Sequence, residues 1–257
     1  MTEKNTDTPK SRFRTWRRRG FIAWGIFVSV YLFSGYRTVD VDGDLLISDA
    51  TVSVTERTEA LLFTPDRFDT ALVFVCGSGV SSHAYAPLLR PIAEQGYGVF
   101  IIKLPYRFAA LESHKSQAIE RAMQAVAKHP EVTTWVFSGH SLGGALTCRI
   151  ARDYPDRVSG LVLVGTTHPK RDDLSALTMP VAKVFGSLDG IAPPGKVNAN
   201  RHLLPDATDY ILIEGGNHSQ FGHYAGQFLD GTATIARREQ QSQTRSVLLE
   251  MLATAGK

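Results

Sequence analysis

The sequence predicts an α/β protein, with a mainly parallel central sheet flanked by helices, on three observations. From residue 45 onward, short β-rich runs alternate with longer helical patterns. Several of the runs are apolar throughout, as strands buried on both faces are. Gly-rich turns follow two of them, 71–76 and 134–137, where such sheets place their ligands. The 257 residues are 43% hydrophobic and 21% charged, which is ordinary globular composition with material for one sizeable core.

Residues 1–19 carry seven Lys/Arg against Glu3 and Asp7, and are expected to form a basic, partly disordered cytoplasmic tail, with 1–11 unstructured. Without that tail the chain holds 21 basic and 23 acidic residues, so the body is near neutral. This argues against a nucleic-acid partner, which needs cations clustered on the folded body. Between Arg19 and Arg37 lie seventeen uncharged residues, the short end of what spans a bilayer of about 30 Å. Residues 20–36 are therefore expected to be a transmembrane signal anchor. The upstream basic cluster would stay cytoplasmic and the C-terminal body would lie outside the cytoplasm. Two alternatives are export after signal cleavage, with Arg18-Arg19 resembling a twin-arginine signal, and a buried or peripheral helix.

Residues 40–257 are expected to form one domain, since no repeat or low-complexity linker interrupts them. Its leading strands are expected at 45–47, 52–54 and 60–63, in antiparallel arrangement. Further strands are expected at 71–76, 99–104, 134–137, 160–164, 181–185 and 210–213. Helices are expected at 85–95, 112–128, 142–153 and 235–252, and right-handed crossovers between strands make the sheet mainly parallel. Cys76 and Cys148 fall in apolar stretches and are expected to be buried free thiols, with a single disulfide as the alternative.

Gly139-His140-Ser141-Leu142-Gly143 fits G-x-S-x-G between a strand and a helix. A sharp turn there exposes the serine hydroxyl, and glycines leave room for it. A serine hydroxyl needs a base, and the base needs an acid to hold its tautomer. Asp189 follows the strand at 181–185, and His218 follows the last strand behind two glycines. Asp172 and Asp173 are alternative acids, and Glu214 a weaker one. His83, His140 and His223 lie near the same edge and are expected to line or pack. Oxyanion donors are expected from the Leu142 amide and from the loop after 71–76, with Ser78 first and Gly79 second.

Together these residues resemble the α/β-hydrolase superfamily, over about residues 45–255. They resemble its compact branch in particular, with "GGNH" and "QFG" around the histidine and "G-x-x-D-G" around the acid. The resemblance implies Ser141 as nucleophile, His218 as general base and then acid, and Asp189 as orienter. It implies acylation of Ser141 by a small-molecule acyl substrate and hydrolysis by water, with no metal or cofactor. An esterase-like hydrolase is the leading expectation. Peptidase, thioesterase or acyltransferase activity on the same residues, and a non-catalytic membrane-anchored binding protein, are the alternatives. About sixteen residues separate Val164 from Val181, so the site is expected to lack a substantial cap, leaving substrate selection to the loops at 166–177 and 191–200.

Overall fold

The structure is a computed structural model that describes residues 9–255. It divides into two compact units, Met1–Gly35 and Tyr36–Lys257. The first contains one helix, α1 (Pro9–Gly35). Proline suits a first helical position and arginine is a good helix former, so the helix begins inside the tail expected to be unstructured. Residues 1–8 of that tail lie outside the described residues.

The expected transmembrane anchor at 20–36 is not supported. Among the described residues no helix is long and apolar enough to cross a membrane. The uncharged run is only seventeen residues long, and Gly20, Gly25, Ser29 and Ser34 dilute it. A span of about 30 Å asks for about 20 predominantly apolar residues.

The second unit is built on one eight-stranded sheet. Its strands are β1 (Ser53–Glu56), β2 (Ala60–Thr64), β3 (Thr70–Val75), β4 (Gly98–Ile102), β5 (Thr134–His140), β6 (Gly160–Val164), β7 (Val181–Gly186) and β8 (Asp209–Ile213). They lie in the order β1-β2-β4-β3-β5-β6-β7-β8, antiparallel between β1, β2 and β4 and parallel elsewhere. The helices are α2 (Ala86–Ala93), α3 (Glu112–Ala127), α4 (Leu142–Asp153), α5 (Pro194–Asn198) and α6 (Arg237–Thr254). Two helical layers, α2 beside α6 and α3 beside α4, cover the sheet. That is why β4, β5 and β6 are buried along their whole length, and why β4 and β6 read as apolar runs.

Two departures from the sequence reading have local causes. Residues 45–47, expected as a strand, fall largely in a single 3-10 turn, Gly43–Leu46, because the Asp42 side chain accepts the Asp44 amide at 3.1 Å. Strand β5 runs three residues past the expected end at 137, since Ser138 and Gly139 pair with Phe74 and Val75 of β3. The chain steps from β3 to β4 on one side and then back across β3 to β5. The carboxyl ends of β3 and β5 are thus the switch point at which such sheets open a crevice.

Candidate active site

Strand β5 ends at His140 and α4 begins at Leu142, so Ser141 alone makes the turn. It does so at φ 55° and ψ −115°, a backbone state that costs a non-glycine residue about 1–3 kcal/mol. The surroundings hold it there. Its N–H donates to the Val164 carbonyl at 3.0 Å. A Cβ on Gly139 would collide with the Gly143 carbonyl, and one on Gly143 with the Val75 carbonyl oxygen. The glycines of the motif are therefore required for space, and the turn packs directly against the end of β3.

Asp189 and His218 follow β7 and β8 and meet. The His218 Nδ1 lies 2.8 Å from Asp189 Oδ2, with both side chains fully buried. Asp189 Oδ1 accepts the amides of Ile191 and Ala192 at 2.8 and 2.5 Å, which fixes the carboxylate and leaves Oδ2 to the imidazole. Because a carboxylate only accepts, the shared hydrogen sits on Nδ1, and Nε2 is left for another partner. That Nε2 is buried and has no hydrogen-bond partner among the described residues. Ser141, Leu142 and His218 line one cavity of about 210 Å³, with Thr166, Lys170 and Ile191 on its walls.

The alternative acids are engaged elsewhere. Asp172 pairs with Arg152, Asp173 caps Ser175 at 3.0 Å, and Glu214 is exposed. His83 hydrogen-bonds Glu56 at 3.0 Å, and His223 packs its backbone on Ala84 and Val39. His140 lies against His218, ring centroids 4.5 Å apart, with Tyr85 Oη 2.9 Å from its Nδ1. Burial, and then the neighbouring His218, push its pKa well below the usual imidazole value, while burial pushes the Tyr85 phenol up. These shifts favour a neutral His140; the Tyr85 hydroxyl accepts the Gly77 amide, which leaves its hydrogen for His140 Nδ1. Cys76 and Cys148 are free and buried, and burial raises each thiol to about 12.

The two candidate amides in the loop after β3 differ. The Gly79 N–H donates to the Arg107 carbonyl at 2.7 Å. The Ser78 N–H has no acceptor among the described residues, and its hydroxyl donates to the Phe108 carbonyl at 3.0 Å. Leu142 opens α4, so its N–H has no acceptor within the helix. Among the described residues no group of three His, Cys, Asp or Glu side chains is placed to hold a metal ion.

Sequence reasoning missed the brace around His218. Asp230 accepts the His218 and Gly190 amides through Oδ1, at 3.1 and 3.2 Å. Its Oδ2 takes the amide and hydroxyl of Ser219, at 2.7 and 2.6 Å. One carboxylate thereby ties the histidine turn to the aspartate turn. From α6, Gln240 exchanges two hydrogen bonds with the Asn217 backbone, at 3.0 and 2.7 Å, and is fully buried.

Residues 71–242 match the model of the alpha/beta hydrolase family, more than half of the chain. The chain belongs to the α/β-hydrolase family. Among curated relatives of this hydrolase, a pimeloyl-[acyl-carrier protein] methyl ester esterase of Aliivibrio salmonicida is 21% identical over 235 residues. That match covers 62% of this chain and 88% of the esterase. A putative non-heme haloperoxidase of Mycobacterium phage D29 is 31% identical over 96 residues, covering 36% of this chain and about a third (34%) of its own length. The fold also matches the solved structure of a soluble variant of monoglyceride lipase from Saccharomyces cerevisiae. There the TM-score is 0.61 at 10% identity, over 82% of this chain and 96% of the lipase.

Proposed function

We propose that this α/β-hydrolase is a serine esterase that cleaves a small carboxylic ester through an acyl-enzyme on Ser141. The observation that carries the reading is His218. One ring nitrogen is tied to Asp189, the other is buried and without a partner among the described residues, and His218 lines the same cavity as Ser141. In the proposed reaction Nε2 takes the Ser141 proton as the hydroxyl oxygen attacks the ester carbonyl. The same proton then goes to the departing alcohol. Water, deprotonated by His218, releases the acid and restores the serine. The developing oxyanion is received by the N–H groups of Leu142 and Ser78. Gly79 is left out of this assignment because its N–H is engaged by Arg107.

Esters are favoured over amides and thioesters because the esterase and lipase relatives act on ester bonds by name. The segment 165–180 between β6 and β7 contains no helix or strand, so the site has no cap of the helical kind and the cavity is small. A short acyl group suits that space. A fluorophosphonate probe tests the reading directly. It should label the parent on Ser141, and Ser141→Ala should abolish labelling and the turnover of p-nitrophenyl acetate while keeping the melting profile. Labelling that survives Ser141→Ala, or ester turnover unchanged in His218→Ala, would overturn it.

A further inference from the structure

We propose that the protein carries a second ligand site, for a small organic anion, in the cavity beyond the carboxyl end of β4. This cavity has a volume of about 520 Å³ and shares no lining residue with the one around Ser141. That size lies in the range of small-molecule sites.

The charge on its walls is unbalanced. Lys103, Arg107 and Arg121 face a single carboxylate, Glu56, which is already paired with Lys103 and hydrogen-bonded to His83. Arg121 donates one Nη to the Lys103 carbonyl at 2.7 Å, and Arg107 donates one Nη to the Tyr36 carbonyl at 3.2 Å. Neither has a carboxylate partner among the described residues. Each guanidinium is thus anchored by one nitrogen, with the rest of its fork uncommitted beside the same cavity. That arrangement fits the planar oxygens of a carboxylate or a phosphate.

The backbone supplies an independent indication. Tyr106, Arg107 and Ala109 have φ of 52°, 63° and 45°, so three non-glycine residues within four positions occupy the left-handed region. Each costs about 1–2 kcal/mol, and strain of this kind gathers at ligand sites. Here it sets Arg107 on the cavity wall and leaves the Tyr106 ring 82% exposed at the rim. Val80, Leu104 and Pro105 add apolar wall. The ligand is therefore an anion with an apolar or planar body.

The strained segment also holds the loop after β3, through Arg107 O to the Gly79 amide at 2.7 Å and Phe108 O to the Ser78 hydroxyl at 3.0 Å. A ligand that settles this segment would steady Ser78. That link to catalysis rests on the proposed esterase reading; the binding site does not.

The test uses the full chain as Ser141→Ala, in which ester turnover cannot interfere. Phenyl phosphate, benzoate, inorganic phosphate and benzyl alcohol are titrated by calorimetry. The expected result is saturable binding of phenyl phosphate or benzoate, at least tenfold tighter than inorganic phosphate or benzyl alcohol. The order of the two organic anions tells a phosphate site from a carboxylate site. Arg107→Gln and Arg121→Gln should each weaken binding at least tenfold, and Arg121→Lys less. If Arg121→Gln melts early, Arg107→Gln, with its exposed side chain, reads the same contact in a folded protein. No saturable binding of either organic anion, or binding unchanged in Arg107→Gln, would overturn the proposal. Since the protein tested is inactive, a failed esterase assay and a failed titration are separate results.

Discussion

Asp230 offers the sharpest test of how the His218 turn is held. Its carboxylate accepts the amides of His218, Ser219, Gly190 and Gly231 and the Ser219 hydroxyl. Asp230→Ala leaves four backbone N–H groups and a hydroxyl without that acceptor. Hydrogen bonds to a charged group contribute about 1.5–3 kcal/mol each. Asp230 is only half-buried, so water recovers part of the loss. A total near 3–5 kcal/mol is the estimate for alanine, consistent with the loss of a connected network. Asp230→Asn keeps one oxygen for His218, Gly190 and Gly231, and should cost about 1–2 kcal/mol. On the proposed esterase mechanism the consequence for chemistry exceeds that for stability, because a shift of about 1 Å in a reacting group costs about a hundredfold in rate. Urea denaturation measures the first effect, and the rate of fluorophosphonate labelling, in buffer where the variant is folded, measures the second. Labelling about a hundredfold slower in Asp230→Ala and about tenfold slower in Asp230→Asn is expected. An alanine variant that is folded and labels at the parental rate would refute the argument that Asp230 positions His218.

Two further changes probe the scaffold. Gly143→Ala drives a Cβ into the Val75 carbonyl oxygen and should cost more than about 3 kcal/mol or prevent soluble expression, in line with severe overpacking. Gly195→Ala, with open space around it on α5, should be neutral or slightly stabilising, and equal melting temperatures for the two variants would dismiss the steric account. Lys183 is fully buried, donates to the His168 carbonyl at 2.6 Å, and has its pKa lowered by burial from 10.5 to about 8. Between those values the unfolded chain binds more protons than the folded one, so this residue's contribution to stability rises with pH across the window and is least favourable below about 8. Relative to Lys183→Met, the parent should gain about 3 kcal/mol between pH 7.5 and 10.5. Taking the difference removes the opposing contribution of the two buried thiols, and a flat difference would refute the shift.

The fold was legible because its central strands are covered on both faces, which makes most of their residues apolar. Residues 71–75, 99–102 and 160–164 could be placed for that reason. The edges were harder to read. Leu45 and Leu46 have strand-like composition, yet no neighbouring strand pairs with them and the Asp42 cap closes a turn. The apolar run after Arg19 is helical, as its composition allows, but its length falls short of a span. A count of uncharged residues registered the absence of charge and overlooked the glycines and serines within it.

The same distinction separates the parts of the candidate site that could be read from those that could not. Ser141, Asp189 and His218 announce themselves because each requires a sharp turn at a strand end, and sharp turns constrain the residues beside them. Gly139 and Gly143 are irreplaceable for reasons confined to a few neighbouring atoms. Asp230 and Gln240 carry no such local signature. One lies on a loop without regular periodicity and the other on the polar-looking start of α6, where glutamines ordinarily face water. Their roles arise from backbone N–H and C=O groups that the His218 turn leaves exposed, and those groups belong to every residue type alike. Folding the turn tightly enough to bury His218 creates the demand that Asp230 and Gln240 satisfy. The brace is therefore the structural counterpart of the glycine-rich turn: the more sharply a chain bends to present a side chain, the more main-chain partners must be supplied from distant sequence.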